Sequence, residues 1–208
     1  MKEKNLDLER LVFFSDAIVA IAITLLVFGL KIEVTPGKDI AFADIWAAWP
    51  KFFSFFLSFF IIAVFWKIHH EFFHYIKAIN NVVLWNNIFW LLFIILLPFT
   101  TSLMGTYFFK TPAIAAYCFN ILMITLFQNN IWDYVAIRPD FLHDISEATI
   151  IFYRRACNVA MINALIALAV SFFYPLAAFM ILLARLPMIL LTRQIFGRIK
   201  DERLNEKK

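Results

Sequence analysis

The chain has 208 residues, of which 63% are hydrophobic and only 16% are charged, and its formal net charge is +4. Soluble domains average about 45–50% apolar residues and about 25% charged residues. A soluble chain of this length cannot bury so much apolar surface in its own core. The composition therefore excludes a soluble enzyme, a disordered chain and a nucleic-acid-binding protein as first interpretations, and it indicates an integral membrane protein.

Six apolar segments approach or reach the length of about 20 residues that a helix needs to cross a bilayer. In chain order they are residues 11–30, 45–66, 82–103, 112–130, 156–173 and 176–191. Only Tyr174-Pro175 separates the last two, so a five-span arrangement with one broken helix also stays open. The sequence predicts a single all-α membrane domain over residues 1–208 with six transmembrane helices.

Lysine and arginine are unevenly divided between the two sides of this arrangement. Fourteen lie on the side of the termini and four on the other, while Arg185 lies within the sixth segment. Because basic residues collect in cytoplasmic loops, both termini are expected in the cytoplasm. Arg185 can snorkel, pair with a carboxylate or bind a lipid head group, and the sequence does not choose among these roles.

The first segment contains an acidic residue, Asp16, roughly one and a half turns into a helix that enters at Arg10. An ionisable side chain at that depth faces protein or water rather than lipid. Arg10 and Asp16 are six residues apart and do not share a helix face, so their partners are expected on other helices. A structural hydrogen-bond or ion-pair cluster and direct coordination of an ion by Asp16 are both open interpretations.

An apolar stripe lies deeper in the same segment. Ile21, Leu25 and Phe28 follow one another at steps of four and three residues, beside a stripe of small residues that includes Thr24. Small residues suit close helix contact, and an apolar stripe in a membrane helix usually faces lipid or protein core. Periodicity alone therefore favours packing over the lining of a pore.

The second segment ends in a motif that occurs in zinc proteases. His70 to His74 spell H-E-x-x-H, which on a helix places two imidazoles one turn apart beside a glutamate. Here no convincing third ligand follows, and the later segments offer no carboxylate deep in the membrane. An intramembrane zinc metalloprotease is therefore a minor alternative, and the competing interpretation is that His70 and His74 form hydrogen bonds with neighbouring helices. No catalytic residue, metal or cofactor is predicted.

The order of these motifs resembles a known family. Arg10-x-x-x-Phe14-Ser15-Asp16, followed by the run Ala20-Ile-Ala-Ile-Thr24-Leu-Leu, is similar to the signature of the endosomal/lysosomal potassium channel family (transmembrane protein 175). The resemblance continues through Trp66-x-x-His69-His70, Asn87 and Pro98-Phe99-Thr100. It covers about the first half of the chain in motifs and the whole chain in span count. The single copy of the motif is similar to the prokaryotic members.

This resemblance implies a passive K⁺ channel, potassium-selective or weakly selective among monovalent cations, in the cell membrane. One-repeat members resemble homotetramers, in which the first helix of each subunit lines the pore. By motif position, the hydrophobic constriction is expected at Ile21, Leu25 and Phe28, with Thr24 nearby. The resemblance also implies a buried polar network that holds the pore helices, expected to comprise Arg10, Phe14, Ser15, Asp16, His69, His70, His74 and Asn87.

Two residues depart from the family pattern: Phe28 stands where leucine is usual, and Ala17 stands where glycine usually follows the aspartate. A carbonyl filter of the Thr-Val-Gly-Tyr-Gly kind is lacking, so gating is expected from hydrophobic rings that exclude water. A secondary transporter is the main alternative function. Transporters usually contain internal repeats and broken helices at mid-membrane, and neither is clear in this sequence.

Overall fold

A computed structural model describes residues 2–34, 37 and 39–184, which form helices joined by turns and short loops. Among these residues, five helices are long and apolar enough to cross a membrane. A further apolar helix, Pro175–Ala184, is the last described element. The later part of the sixth predicted segment lies outside the described residues, and so does Arg185.

The helices follow one another with short connections. In chain order they are α1 Lys2–Leu25, α2 Phe42–Ala47, α3 Trp49–Tyr75, α4 Asn81–Thr106, α5 Thr111–Ala136, α6 Glu147–Ser171 and α7 Pro175–Ala184. A 3₁₀ turn, Leu26–Gly29, continues α1. α4 packs on α3 and α5, α5 packs on α6, and α1 lies against α3 and α4. The first helix is therefore supported by two neighbours.

Local sequence signals explain where the long helices begin. Pro50 and Pro112 occupy the first turns of α3 and α5, where a missing backbone N–H costs nothing. The Oδ1 atom of Asn80 accepts hydrogen bonds from the backbone N–H groups of Val82 and Val83, both at 3.1 Å, and so caps α4. α6 begins at Glu147 after the capping residue Ser146, ahead of the apolar segment that starts at residue 156.

We name the two ends of the bundle after residues of α1. At the Arg10 end, the α3–α4 connection meets the α5–α6 connection. The Lys77 backbone N–H donates to the Phe141 carbonyl and the His143 backbone N–H donates to the Tyr75 carbonyl, both at 2.9 Å. The Phe28 end contains the 3₁₀ turn and the first turn of α3. The two connections at the Arg10 end thus fix the helices relative to one another.

The core between the helices consists of apolar side chains. Ile62, Trp90, Ile94 and Ile121 have no solvent-exposed surface and lie in the largest buried cluster. Lipid is as apolar as these side chains, so close van der Waals packing, rather than exclusion from water, holds membrane helices together. For the same reason, large exposed apolar side chains on the outside of the bundle match a bilayer.

Candidate functional site

α1 has one buried and one exposed face. Ser15, Val19, Ala22 and Leu26 are buried, and their spacing of four, three and four residues makes one helical stripe. This stripe faces α3 and α4, which are the long helices that α1 contacts. Ala22, with no exposed surface, allows α1 to approach them closely. The opposite face of α1 is left without a partner in the described residues of one subunit.

The predicted constriction residues lie on that exposed face. Ile21, Leu25 and Phe28 are 58%, 39% and 71% exposed. Thr24 is exposed beside them, and its Oγ1 donates a hydrogen bond to the Ile21 carbonyl at 2.8 Å. The hydroxyl hydrogen is thus used within the helix, and the oxygen is left as an acceptor. The face therefore presents apolar side chains and, beside them, the hydroxyl oxygen of Thr24.

The helix tightens where this stripe ends. Leu26–Gly29 form a 3₁₀ turn, which has three residues per turn instead of 3.6. In a 3₁₀ turn, residues three apart eclipse one another along the axis. The tighter turn therefore brings the Phe28 side chain towards the position directly above Leu25 along the helix axis. Leu25 itself follows Ile21 by four residues in the α-helical part. The change of helix type therefore aligns Phe28 with Leu25 along the axis.

A chain of hydrogen bonds joins the buried face of α1 to α4 and α3. His69 Nε2 and Asn87 Oδ1 are 2.7 Å apart, and Asn87 Nδ2 donates to Ser15 Oγ at 2.8 Å. Ser15 Oγ donates to the Leu11 carbonyl at 2.8 Å. Because the amide oxygen of Asn87 can only accept, His69 is the donor at its Nε2. All three side chains are buried, so the chain satisfies them away from water.

Aromatic rings hold His69 in position. Its ring stacks on the Trp90 ring, with centroids 4.3 Å apart and an angle of 15° between the planes. The Phe73 ring also contacts the His69 ring, with the two ring centroids 4.4 Å apart. Trp90 was not among the predicted site residues, although its place three residues after Asn87 puts both on one face of α4. These contacts limit the orientations that the imidazole can adopt.

Asp16 has a separate partner. Trp66 Nε1 donates to Asp16 Oδ1 at 2.8 Å, and the Asp16 side chain is half-buried. The two ion pairs among the described residues are Glu33–Lys51 and Asp133–Arg154, so neither includes Asp16. Asp16 thus serves as a hydrogen-bond acceptor for α3 at the edge of the exposed face.

The structure does not bring the remaining predicted network residues into this cluster within one subunit. Arg10 and Phe14 lie on the exposed side of α1. His70 is exposed, with its ring 5.6 Å from the Trp66 ring, and His74 is exposed at the end of α3. None of these four side chains forms a hydrogen bond or ion pair with another described residue.

The metal-site interpretation of the H-E-x-x-H pattern finds no further ligand. Glu71, between the two histidines, accepts a hydrogen bond from the Tyr153 hydroxyl on α6 at 3.0 Å. In the part of the chain that the structure describes, no three His, Cys, Asp or Glu side chains are grouped to hold a metal ion. Within this part of the chain, the two exposed imidazoles have no third ligand of the kind that a zinc protease uses.

A second polar cluster, absent from the predicted site residues, joins α3, α4 and α5. Thr101 Oγ1 donates to Ser58 Oγ at 2.7 Å, and Ser58 Oγ lies 2.9 Å from the Tyr117 hydroxyl. All three side chains are buried. The signal in the sequence was Ser54 and Ser58, four apart in a phenylalanine-rich helix, which marks a polar stripe facing other helices.

Sequence comparisons match the chain to channels. Residues 10–98 match the model of the family described as endosomal/lysosomal potassium channel TMEM175. A potassium channel of Chryseobacterium sp. (strain P1-3) is 30% identical over 170 residues, which are 81% of this chain and 85% of that protein. A potassium channel of Chamaesiphon minutus is 31% identical over 134 residues, or 61% of this chain and 65% of that protein.

Solved structures share the fold. A crystal structure of a lysosomal potassium-selective channel TMEM175 homolog from Chamaesiphon minutus aligns with a TM-score of 0.79 at 23% identity, over 89% of this chain and 98% of that one. A variant of the potassium channel MtTMEM175, solved in complex with a nanobody fusion protein, aligns with a TM-score of 0.64 at 18% identity, over 93% of each chain. The helical arrangement described above is therefore that of these channel structures.

Proposed function

Because the chain belongs to the endosomal/lysosomal potassium channel TMEM175 family, it is a potassium channel and not an enzyme, and we propose that α1 of several subunits lines its pore. The observation that carries the proposal is the exposed stripe of Ile21, Leu25 and Phe28 on a helix whose other face is buried in its own subunit. The permeant ion is K⁺, with other monovalent cations at lower rates, and no cofactor takes part. Flow is passive, unlike that of the secondary transporter considered as the alternative.

The subunit forms one membrane domain over residues 1–208, with the six spans and the cytoplasmic termini that the sequence predicts. A single α1 cannot enclose a path for ions, so several copies must surround it, and a homotetramer is the arrangement that we propose. The excess of basic residues on the side of the termini supports the orientation in a cell membrane. The apolar outer face of the bundle supports contact with bilayer lipid.

In this pore, rings of Ile21, Leu25 and Phe28 form a hydrophobic constriction. Such rings exclude water when they approach closely, and this dewetting closes the path to ions. K⁺ passes more readily than Na⁺ because it sheds its hydration shell at a lower cost. The Thr24 oxygens, which are free to accept, support passage if they reach the lumen between the apolar rings.

The buried polar chain sets the rotation of α1 about its axis. Asn87 of α4 donates to Ser15 and accepts from His69 of α3, so the exposed stripe points away from these two helices. Arg10, Phe14, His70 and His74 are exposed in one subunit. Their part in the polar network therefore requires a neighbouring subunit, and we place them at the contacts between subunits near the Arg10 end.

The test is K⁺ flux into liposomes that contain the purified protein, with a K⁺ gradient and an imposed diffusion potential. Ile21→Asn and Leu25→Ala are compared with Ile162→Asn and Leu165→Ala, which change the same residue types at exposed positions of α6. We expect altered flux and an altered ratio of K⁺ to Na⁺ flux in the α1 variants only. Unchanged conduction and selectivity in both α1 variants, with intact oligomers, would contradict the pore assignment.

A further inference from the structure

A lysine of α3 reaches across to the backbone that follows the 3₁₀ turn. Lys51 Nζ donates to the Lys31 carbonyl at 2.9 Å and to Glu33 Oε1 at 2.8 Å. The Lys51 side chain is only 14% exposed, whereas that of Glu33 is 81% exposed. Two acceptors thus bind an ammonium group that the protein largely shields from solvent, and both belong to the segment directly after the predicted constriction.

The position of Lys51 in its own helix is unfavourable. It lies in the first turn of α3, which begins at Trp49, and the N-terminal end of a helix carries partial positive charge. A cation there is repelled rather than stabilised. A lysine at this position therefore does not stabilise the helix. Its contacts with Lys31 and Glu33 explain its presence there.

Near Lys51, α3 lies close to α4, and the 3₁₀ turn lies close to both helices. Gly105 of α4 packs against it, and a Cβ atom on that glycine would lie 3.0 Å from the Lys51 Cα and 3.5 Å from its Cγ. The 3₁₀ turn packs on both α3 and α4, and a Cβ atom on Gly29 would lie 3.4 Å from the Ser102 Cβ. The backbone of Lys51 and the first part of its side chain thus lie against α4, and its ammonium group reaches the residues that follow the turn.

Backbone hydrogen bonds connect the segment that Lys51 contacts to the turn that contains Phe28. The Leu30 N–H donates to the Val27 carbonyl and the Lys31 N–H donates to the Gly29 carbonyl, both at 3.0 Å. The carbonyl of Lys31 then accepts from Lys51. If the turn relaxed to an α-helix, Phe28 would rotate by about 60° relative to Leu25 and shift by about 1.5 Å along the axis.

We propose that Lys51 and Glu33 are positioning residues that keep the Leu26–Gly29 turn in its 3₁₀ form and so align Phe28 with Leu25 in the constriction. This inference rests on the proposed function, since it takes α1 to line the pore. Removal of the contact lets the turn relax, moves Phe28 out of line and loosens the last ring. Na⁺ flux then rises relative to K⁺ flux.

The experiment measures the ratio of K⁺ to Na⁺ flux in liposomes for Lys51→Met, Glu33→Ala and the double variant. Methionine retains the lysine stem without its charge, and position 33 is exposed, so folding is expected to survive both changes. Lys110→Met is the matched control, because Lys110 is exposed at the same end and its side chain forms no hydrogen bond with a described residue. Leu25→Ala reports on the pore itself.

We expect Lys51→Met to shift the ratio towards one, Glu33→Ala to shift it less, and the double variant to equal Lys51→Met, since Lys51 provides both bonds. A normal ratio in Lys51→Met beside an altered one in Leu25→Ala would overturn this inference and leave the pore assignment intact. An equal shift in Lys110→Met, or additive effects in the double variant, would also overturn it. A silent Leu25→Ala would overturn the pore assignment together with this inference.

Discussion

At the Arg10 end, buried side chains of α3 and α4 hold α1 by hydrogen bonds, whereas at the Phe28 end Lys51 adds a polar contact to the backbone and to a side chain just after the helix. The first attachment comprises His69, Asn87 and Ser15, all shielded from water. The second comprises Lys51 and its two acceptors, one of which is exposed. Buried bonds have no water to replace them, so the two attachments respond differently to substitution and to pH.

Between these attachments, α1 contacts the rest of the subunit mainly through apolar packing. Val19, Ala22 and Leu26 are buried in the large core cluster, and the exposed stripe lies on the other side of the helix. Packing of this kind tolerates small shifts along the axis better than a directional hydrogen bond does. We therefore infer that the two attachments determine where the rings of the proposed constriction lie.

The largest expected effect is at the buried attachment. Asn87→Leu removes the acceptor of His69 and the donor to Ser15, which leaves a buried polar group unsatisfied at a cost of about 1–3 kcal/mol. We expect a lower Tm of the detergent-purified oligomer and loss of K⁺ flux. The control is Asn86→Leu, because among the described residues the Asn86 side chain donates to the Val82 carbonyl of its own helix and to no other helix. Equal Tm values in the two variants would show that the buried chain does not hold α1.

A smaller effect is expected at Asp16, and it separates the two roles left open by the sequence. Asp16→Asn retains an oxygen that accepts from Trp66 Nε1, whereas Trp66→Phe removes the donor at a cost of about 0.5–1.5 kcal/mol. We therefore expect Trp66→Phe to lower the Tm more than Asp16→Asn, with little change in the ratio of K⁺ to Na⁺ flux in either. A strong change of that ratio in Asp16→Asn, with Trp66→Phe silent, would instead support direct ion coordination.

The smallest effect is a pH dependence at the Phe28 end. The hydrogen bond from Lys51 and then its charge lower the pKa of Glu33 below the ordinary glutamate value. Because the pKa of Glu33 is lowered, the contact with Lys51 is complete at any pH above the ordinary glutamate pKa. It is lost as the pH falls through the lowered pKa of Glu33. We expect a constant K⁺ to Na⁺ flux ratio from about pH 7 to about pH 5, with a decline only in more acidic solution. Glu33→Ala should abolish that decline, and a persistent decline in this variant would exclude Glu33 as its source.

Periodicity identified the exposed stripe but not its surroundings. Ile21, Leu25 and Phe28 were recognisable as one helix face, yet the same pattern suits lipid contact, core packing and a pore. The 3₁₀ turn was not predictable, because a step of three residues fits a stripe in either helix type. The turn contacts α3 and α4, and periodicity does not specify these contacts, to which we attribute its form.

The polar network was predictable in type but not in every member. Three histidines and one asparagine near the span ends were candidates. Of these, Asn87 donates to Ser15 and His69 donates to Asn87. His69 shares a buried stripe of α3 with Phe65 and Phe72, at steps of four and three residues, whereas His70 and His74 lie off that stripe. The alignment of His69 with Phe65 and Phe72 was therefore a usable signal. It identifies the buried face of α3 only when the neighbouring helices are known.

The contact between Glu33 and Lys51 could not be predicted from the sequence, because the two residues are 18 positions apart and a loop lies between them. The sequence placed Lys51 inside the predicted segment 45–66. The start of α3 at Trp49, seen in the structure, puts the lysine in a first helical turn, where its charge is unfavourable. The last part of the sixth predicted segment stays a prediction, since it lies outside the described residues.

The most direct test of the central claim is silver block of K⁺ flux through single-cysteine variants. Ag⁺ is a small monovalent cation that reacts with thiols, and the two native cysteines, Cys118 and Cys157, are buried. We predict that Ag⁺ blocks flux through Leu25→Cys irreversibly and leaves Leu165→Cys on α6 and the unsubstituted protein conducting. Equal flux before and after Ag⁺ in a conducting Leu25→Cys protein would contradict a pore lined by α1.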